Sequence, residues 1–114
     1  MKDAVKFDTT DDGIAIITID RPETRNALSA EVRAGLFAAW ERFENDDALR
    51  VAILTGAGEK AFCAGGDLKE MVDKGLKVPP RDMFPVPYDN IELSKPTIAA
   101  VNGVAFAGGW MIAQ

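Results

Sequence analysis

Apolar positions arrive along this chain in several rhythms. Ile14-Ala15-Ile16-Ile17-Thr18-Ile19 is mostly β-branched and follows an Asp11-Asp12-Gly13 turn. That pairing predicts a hairpin within residues 1–20, with a polar edge strand first and a strand over 14–20 second. Arg21 to Leu28 is a polar loop anchored by Pro22. Ser29 is suited to cap a helix. From Ala30 to about Asp46, Val32, Leu36, Trp40 and Phe43 recur at helical spacing, with Phe37 beside them. Glu31, Arg33, Glu41, Arg42 and Glu44 take the polar side, so the segment reads as an amphipathic helix. The rhythm then changes. Val51-Ala52-Ile53-Leu54-Thr55 is nearly continuously apolar, which predicts a strand buried on both faces of a parallel sheet. Thr97-Ile98-Ala99-Ala100-Val101 reads as a further buried strand. The order β, β, α, β predicts an α/β protein with helices crossing between strands.

Between those strands lies Phe62-Cys63-Ala64-Gly65-Gly66-Asp67-Leu68-Lys69-Glu70. Two adjacent glycines bare the backbone so that another molecule can approach its N–H groups. Asp67 is placed to cap a helix over Asp67 to about Lys74, with Glu70 as the reciprocal partner of a capping box. The functional reading is a backbone site for an anion or polarised oxygen; the bland one is a well-capped turn. Pro79, Pro80, Pro85 and Pro87 break regularity over 75–87. Met83, Phe84 and Val86 make that segment either a lid or a surface plug. A short helix is expected over Tyr88 to Leu93, a turn at Asn102-Gly103, and a helix start at Trp110-Met111-Ile112-Ala113-Gln114.

The bulk numbers narrow the chemistry. The 114 residues carry a net charge of −5 and no histidine. Nothing basic is clustered, which argues against nucleic acid or an anionic membrane as the main partner. Without histidine, a Ser-His-Asp or Cys-His site cannot be built from this chain. One cysteine, Cys63, excludes an intrachain disulfide. The first residues are too polar for a signal peptide, and no apolar run nears the ~20 residues of a membrane span. The expected location is the cytoplasm.

Gly56-Ala57-Gly58-Glu59-Lys60-Ala61 matches G-x-G-x-x-A after a strand. A dinucleotide site needs a long helix next. Gly65-Gly66 and the lack of an apolar period argue against one. More informative is a repeated device. Strand 51–55 leads to Ala64-Gly65-Gly66 before a helix, and strand 97–101 leads to Ala107-Gly108-Gly109 before another. Two such turns can aim one N–H each into a shared cleft, and two convergent donors form an oxyanion hole.

These segments resemble the crotonase superfamily, the enoyl-CoA hydratase/isomerase family. Arg21-Pro22 with Asn26-Ala27-Leu28 is similar to its first signature, and Ala61 to Glu70 to its second. Lys95 to Gly103, continuing through Ala107-Gly108-Gly109, is similar to its third. The resemblance implies a spiral of repeated ββα units and acyl-CoA thioester chemistry through a stabilised enolate. It implies lyase or isomerase activity, no cofactor beyond coenzyme A as part of the substrate, and homotrimers or hexamers. The oxyanion donors it implies are the backbone N–H groups of Gly66 and Gly108. Ala107 replaces the first member of a glycine triplet, which reads as a mild change. Arg25 to Ala27 resembles the part that meets the CoA nucleotide and pantetheine. Ala64, Gly65, Asp67, Leu68 and Lys69 resemble the strip holding the adenine and thioester end, where Lys69 reaches either a CoA phosphate or solvent. Met111 stands where hydratases of the family carry a catalytic glutamate, and methionine cannot move protons. Residues 1–114 are expected to be the N-terminal part of one such domain, with the end of the spiral core and the helical region absent. The fragment alone is expected to be inactive. The alternative reading is a non-catalytic acyl-CoA binder or oligomer partner.

Overall fold

The computed structural model describes residues 3–73 and 83–114. Its elements run β1 (Val5–Thr9), β2 (Ile14–Ile19), α1 (Ala30–Asn45), β3 (Val51–Gly56), β4 (Ala61–Cys63), α2 (Leu68–Asp73), β5 (Thr97–Ala100), β6 (Val104–Ala105) and α3 (Gly108–Ala113), with a 3₁₀ turn at Pro22–Thr24. Read in order, this is ββα three times over. Two sheets result, one ordered β1-β2-β3-β5 and one pairing β4 with β6. Each repeat after the first gives its leading strand to the large sheet and its second strand to the small one.

The hairpin forms as expected. β1 and β2 are antiparallel, with Phe7 opposite Ile17, and Gly13 turns at φ +86. β2, β3 and β5 are parallel, with Ile16 beside Ile53 and Ile53 beside Ile98. Ser29 Oγ accepts from Val32 N at 3.3 Å and starts α1. Val32, Leu36, Trp40 and Phe43 are buried against Ala15, Ile17, Ile19, Ala52 and Leu54. At the other end of α1, Lys95 Nζ donates to Phe43 O at 2.8 Å and Asp46 O at 2.7 Å. Ser94 donates from its N and Oγ to the Glu44 carboxylate at 2.9 and 2.7 Å. Those bonds hold the Glu44 carboxyl below its usual range and pin the approach to β5 onto α1.

Several expectations are corrected. Burial alternates along β3 instead of covering both faces. β5 likewise leaves Ile98 54% exposed, so it is not a buried strand among the described residues. The physical reason is one-sided cover: α1 packs on one face of the sheet, and no described element covers the other at Ile98. Tyr88 to Leu93 is a turn and not a helix. Tyr88 sits at φ +67, and the bridge Pro87–Ile91 closes the turn. Asn90 secures it, accepting from Val86 N at 2.8 Å and donating to Phe84 O at 2.6 Å. Phe84 is buried in the core with Met83 and Val86 packed against it, so these three side chains form a plug. The remainder of the lid candidate, 75–82, lies outside the described residues, as does Lys74. The G-x-G-x-x-A match leads into strand β4 and not into a helix.

Candidate active site

The site is assembled where three segments meet: 25–28, 63–67 and 106–109. Arg25 and Asn26 both take left-handed φ values, 54° and 56°. That twist directs Arg25 O to accept from Ala64 N at 3.0 Å. Leu28 N donates to Gly65 O at 2.7 Å, and Leu28 bridges to Gly66 in parallel. The first segment therefore grips the second along its edge.

The third segment locks against the other side. Phe106 N donates to Cys63 O at 3.1 Å. A Cβ on Gly65 (φ +96) would come within 2.8 Å of Phe106 O and 3.4 Å of Gly108 N. A Cβ on Gly109 would overlap Cys63 O and lie 2.8 Å from Cys63 C. Glycine is required at both places because backbone meets backbone. The two glycine turns seen in the sequence are thus brought side by side.

Among the described residues, neither the Gly66 nor the Gly108 N–H donates to another main-chain carbonyl. Gly66 is half-buried and Gly108 buried. Ala107, just before α3, has φ 47 and ψ −114. That is glycine territory, so its replacement of the triplet's first glycine stores strain of about 1–3 kcal/mol and is not mild.

Asp67 Oδ1 accepts from Glu70 N at 3.1 Å, the expected cap of α2. The reciprocal half of the capping box is different. Glu70 Oε2 accepts from Ala30 N at 2.9 Å, and Oε1 pairs with Arg33 at 2.7 Å. Glu70 ties α2 to the start of α1 because Ala30 N is one of the free N–H groups of that helix.

The remaining expected residues are spread around this centre. Ala64 is half-buried beside Arg25, and Ala27, half-buried, donates from N to Thr24 O at 3.2 Å. Leu68 opens α2, and Lys69 is exposed in its first turn. Met111 is 41% exposed on α3 and offers no titratable group. Arg25 lines a cavity of about 330 Å³ with Pro22, Asn26, Gly58, Glu59 and Lys60. Lys60 was not singled out in the sequence, where it passes for an ordinary turn lysine. Asn26 and Asn102 stand in the signature segments, but the hydrogen bonds of their side chains to the loop before β4 were not foreseen; the signal available was a left-handed or turn position occupied by a side chain with donors to spend.

Cys63 is buried in β4, and burial pushes its thiol up to about 11 against a lowering hydrogen bond from the Gly65 backbone. A protonated, buried thiol is a poor nucleophile. Among the described residues no cluster of His, Cys, Asp and Glu could hold a metal ion. Among the described residues no helix is long and apolar enough to cross a membrane.

The chain is similar to known proteins in sequence and in fold. The family model for enoyl-CoA hydratase/isomerase matches residues 9–114. Enoyl-CoA hydratase EchA19 of Mycobacterium tuberculosis is 46% identical over 109 residues, covering 87% of this chain and 39% of that protein. The (E)-benzylidenesuccinyl-CoA hydratase of Thauera aromatica is 40% identical over 108 residues, covering 88% of this chain and 40% of that protein. The crystal structure of a probable enoyl-CoA hydratase/isomerase from Mycobacterium abscessus superimposes with a TM-score of 0.82 at 42% identity, covering 99% of this chain and 43% of that one. The chain therefore spans about two-fifths of the length of the relatives it matches. Its ββα repeats are part of their crotonase fold, and with the family model satisfied over residues 9–114 the chain belongs to the enoyl-CoA hydratase/isomerase family.

Proposed function

We propose that the protein containing this chain binds an acyl-CoA thioester and polarises its carbonyl between the N–H groups of Gly66 and Gly108. The observation that carries this reading is that both donors are left unspent on turns locked against each other. A thioester oxygen that accepts both gains negative charge as an enolate forms, and fixed donors stabilise that charge without reorganising. Each such donor is worth about 10²–10³ in turnover. Arg25 and Lys60, on the wall of the neighbouring cavity, and Lys69 supply cations for the phosphates of the CoA moiety. Ala27, Ala64, Gly65, Asp67 and Leu68 shape the strip between those phosphates and the thioester. Met111 limits the chemistry. It contributes an apolar wall beside the acyl group and no proton, so a residue outside these 114 moves the proton in lyase, isomerase or hydrolase chemistry. A cytoplasmic homotrimer or hexamer of the full-length protein goes with this reading, and the fragment alone is inactive.

Met111 also favours a second reading, a non-catalytic acyl-CoA binder. The two separate cleanly. Calorimetry on the full-length protein should detect short-, medium- or aromatic acyl-CoA binding; no binding to any of them refutes both readings. Turnover that Gly108→Val abolishes while CoA binding persists establishes the enzyme. Binding with no turnover of any thioester leaves the binder.

A further inference from the structure

We propose that Asn26 and Asn102 act as one clamp that sets the spacing between the Gly65-Gly66 and Ala107-Gly108 turns. This inference rests on the oxyanion reading above and assigns positioning roles to two side chains, Asn26 within segment 25–28 of the site and Asn102 beyond it.

Both asparagines grip the same connection, the loop from β3 to β4. Asn26 is completely buried. Its Nδ2 donates to Ala57 O at 3.1 Å and Ala61 O at 3.0 Å, and its Oδ1 accepts from Arg21 N at 2.9 Å. Asn102 approaches the same loop from the third repeat. Its Nδ2 donates to Gly58 O at 2.9 Å and Ala61 O at 3.1 Å, and its Oδ1 accepts from Gly56 N at 3.1 Å. Each amide has two N–H donors, and both are used. The two side chains converge on one atom, Ala61 O, and fill both its lone pairs.

Ala61 is where this grip enters the site. It begins β4 and pairs with Val104, while Val104 N donates to Lys60 O at 3.2 Å. A Cβ on Gly103 would come within 2.7 Å of Ala61 N, so the third repeat crosses the loop at backbone contact. Two residues beyond Ala61, Cys63 O accepts from Phe106 N. The next residues are Ala64 to Gly66, and past Phe106 come Ala107 and Gly108. Asn26 itself stands between Arg25 O, bonded to Ala64 N, and Leu28 N, bonded to Gly65 O. A shift of the loop therefore reaches both turns through short stretches of hydrogen-bonded main chain. A loop so exposed at Gly58, Glu59 and Lys60 has little apolar packing to hold it otherwise.

Asn26→Asp and Asn102→Asp keep side-chain shape and the acceptor but remove the shared donors. Asn102 is half-buried, so its variant is the one expected to fold readily; Asn102→Ser serves as its uncharged control. The experiment uses the full-length protein and cinnamoyl-CoA, whose absorption moves to the red when its thioester carbonyl is polarised. With wild type saturated, a red shift is expected. In each folded Asn102 variant, also saturated, the shift should fall by half or more while the dissociation constant stays within roughly threefold, a split between polarisation and uniform binding. Asn26→Asp, which puts a carboxylate beside the Arg25 and Lys60 cavity, is read by amide exchange alone. An undiminished shift at saturation with only a lower Tm makes the asparagines loop fasteners and overturns the clamp, as does a loss confined to affinity. Native-state amide exchange reads the clamp without ligand. Exchange at Leu28, Ala64 and Phe106 should quicken roughly tenfold beyond the change in global stability, and unchanged exchange overturns the proposal. If wild type binds cinnamoyl-CoA without any red shift, the oxyanion reading fails on its own, and the exchange result alone decides the clamp.

Discussion

Adding one methyl group at each of two neighbouring glycines should give very different results. Gly108→Ala and Gly109→Ala are the same change, one residue apart, in the same short helix. At Gly108 the new Cβ would meet Leu28 Cδ1 at 3.0 Å and Phe84 Cε2 at 3.5 Å. Both are side-chain atoms, and a few tenths of an ångström of movement relieves them. At Gly109 the Cβ would overlap Cys63 O and come within 2.8 Å of Cys63 C. Those atoms belong to β4, and Cys63 O already holds Phe106 N at 3.1 Å. Relief there means moving α3 off β4 and giving up that hydrogen bond. Ordinary overpacking costs about 1–3 kcal/mol, and a lost hydrogen bond adds about 1 kcal/mol. The gain in helix propensity from replacing glycine, up to about 1 kcal/mol, is common to both changes. Gly109→Ala should therefore be destabilised by about 3 kcal/mol and Gly108→Ala by about 1 kcal/mol or less. The larger figure is a substantial part of the ~5–15 kcal/mol that holds a typical protein folded. Equilibrium urea unfolding of the full-length protein, with m-values checked for constancy, measures both. A difference smaller than about 1 kcal/mol, or a reversed order, would show that β4 and α3 do not meet backbone to backbone.

Two further outcomes follow from single residues. Ala107→Gly should relieve the strained φ of 47°; ~1–3 kcal/mol of strain less ~0.5–1 kcal/mol of added unfolded-state entropy leaves a net gain of about 0.5–2 kcal/mol. A lower urea midpoint for that variant would refute the strain. Cys63 binds its proton more tightly folded than unfolded, because burial raises its thiol from 9.0 to about 11. Its contribution is complete below the unfolded value and is lost as pH rises through that window, since the unfolded chain releases the proton first. Stability should fall between about pH 9 and 11 more steeply in wild type than in Cys63→Ala; parallel curves would contradict the shift.

Local order was legible in the residues because local forces make it. The Asp11-Asp12-Gly13 hairpin, the Ser29 cap and the Val32–Leu36–Trp40–Phe43 stripe each need only neighbours in sequence, and all three form. The paired glycine turns were also legible as turns, since adjacent glycines before a helix bare the backbone. Longer-range facts were not. β4 and β6 are three and two residues long, too short for a periodic signal, and they form because each finds the other. Continuous apolarity in Val51 to Thr55 suggested cover on both faces, but cover is supplied by whatever packs there, which no strand encodes. Glu70 was placed in a capping box by spacing, yet Ala30 N and Arg33 compete for it once α1 lies alongside. Adjacent residues alone mark the stretches that can expose an N–H to a ligand. It takes the folded chain to lay Gly65 against Gly108, and to let two asparagines 76 positions apart (26 and 102) share one carbonyl. Turn chemistry is written in adjacent residues, whereas the spacing of two turns is set by backbone contacts between segments that meet only after the chain has folded.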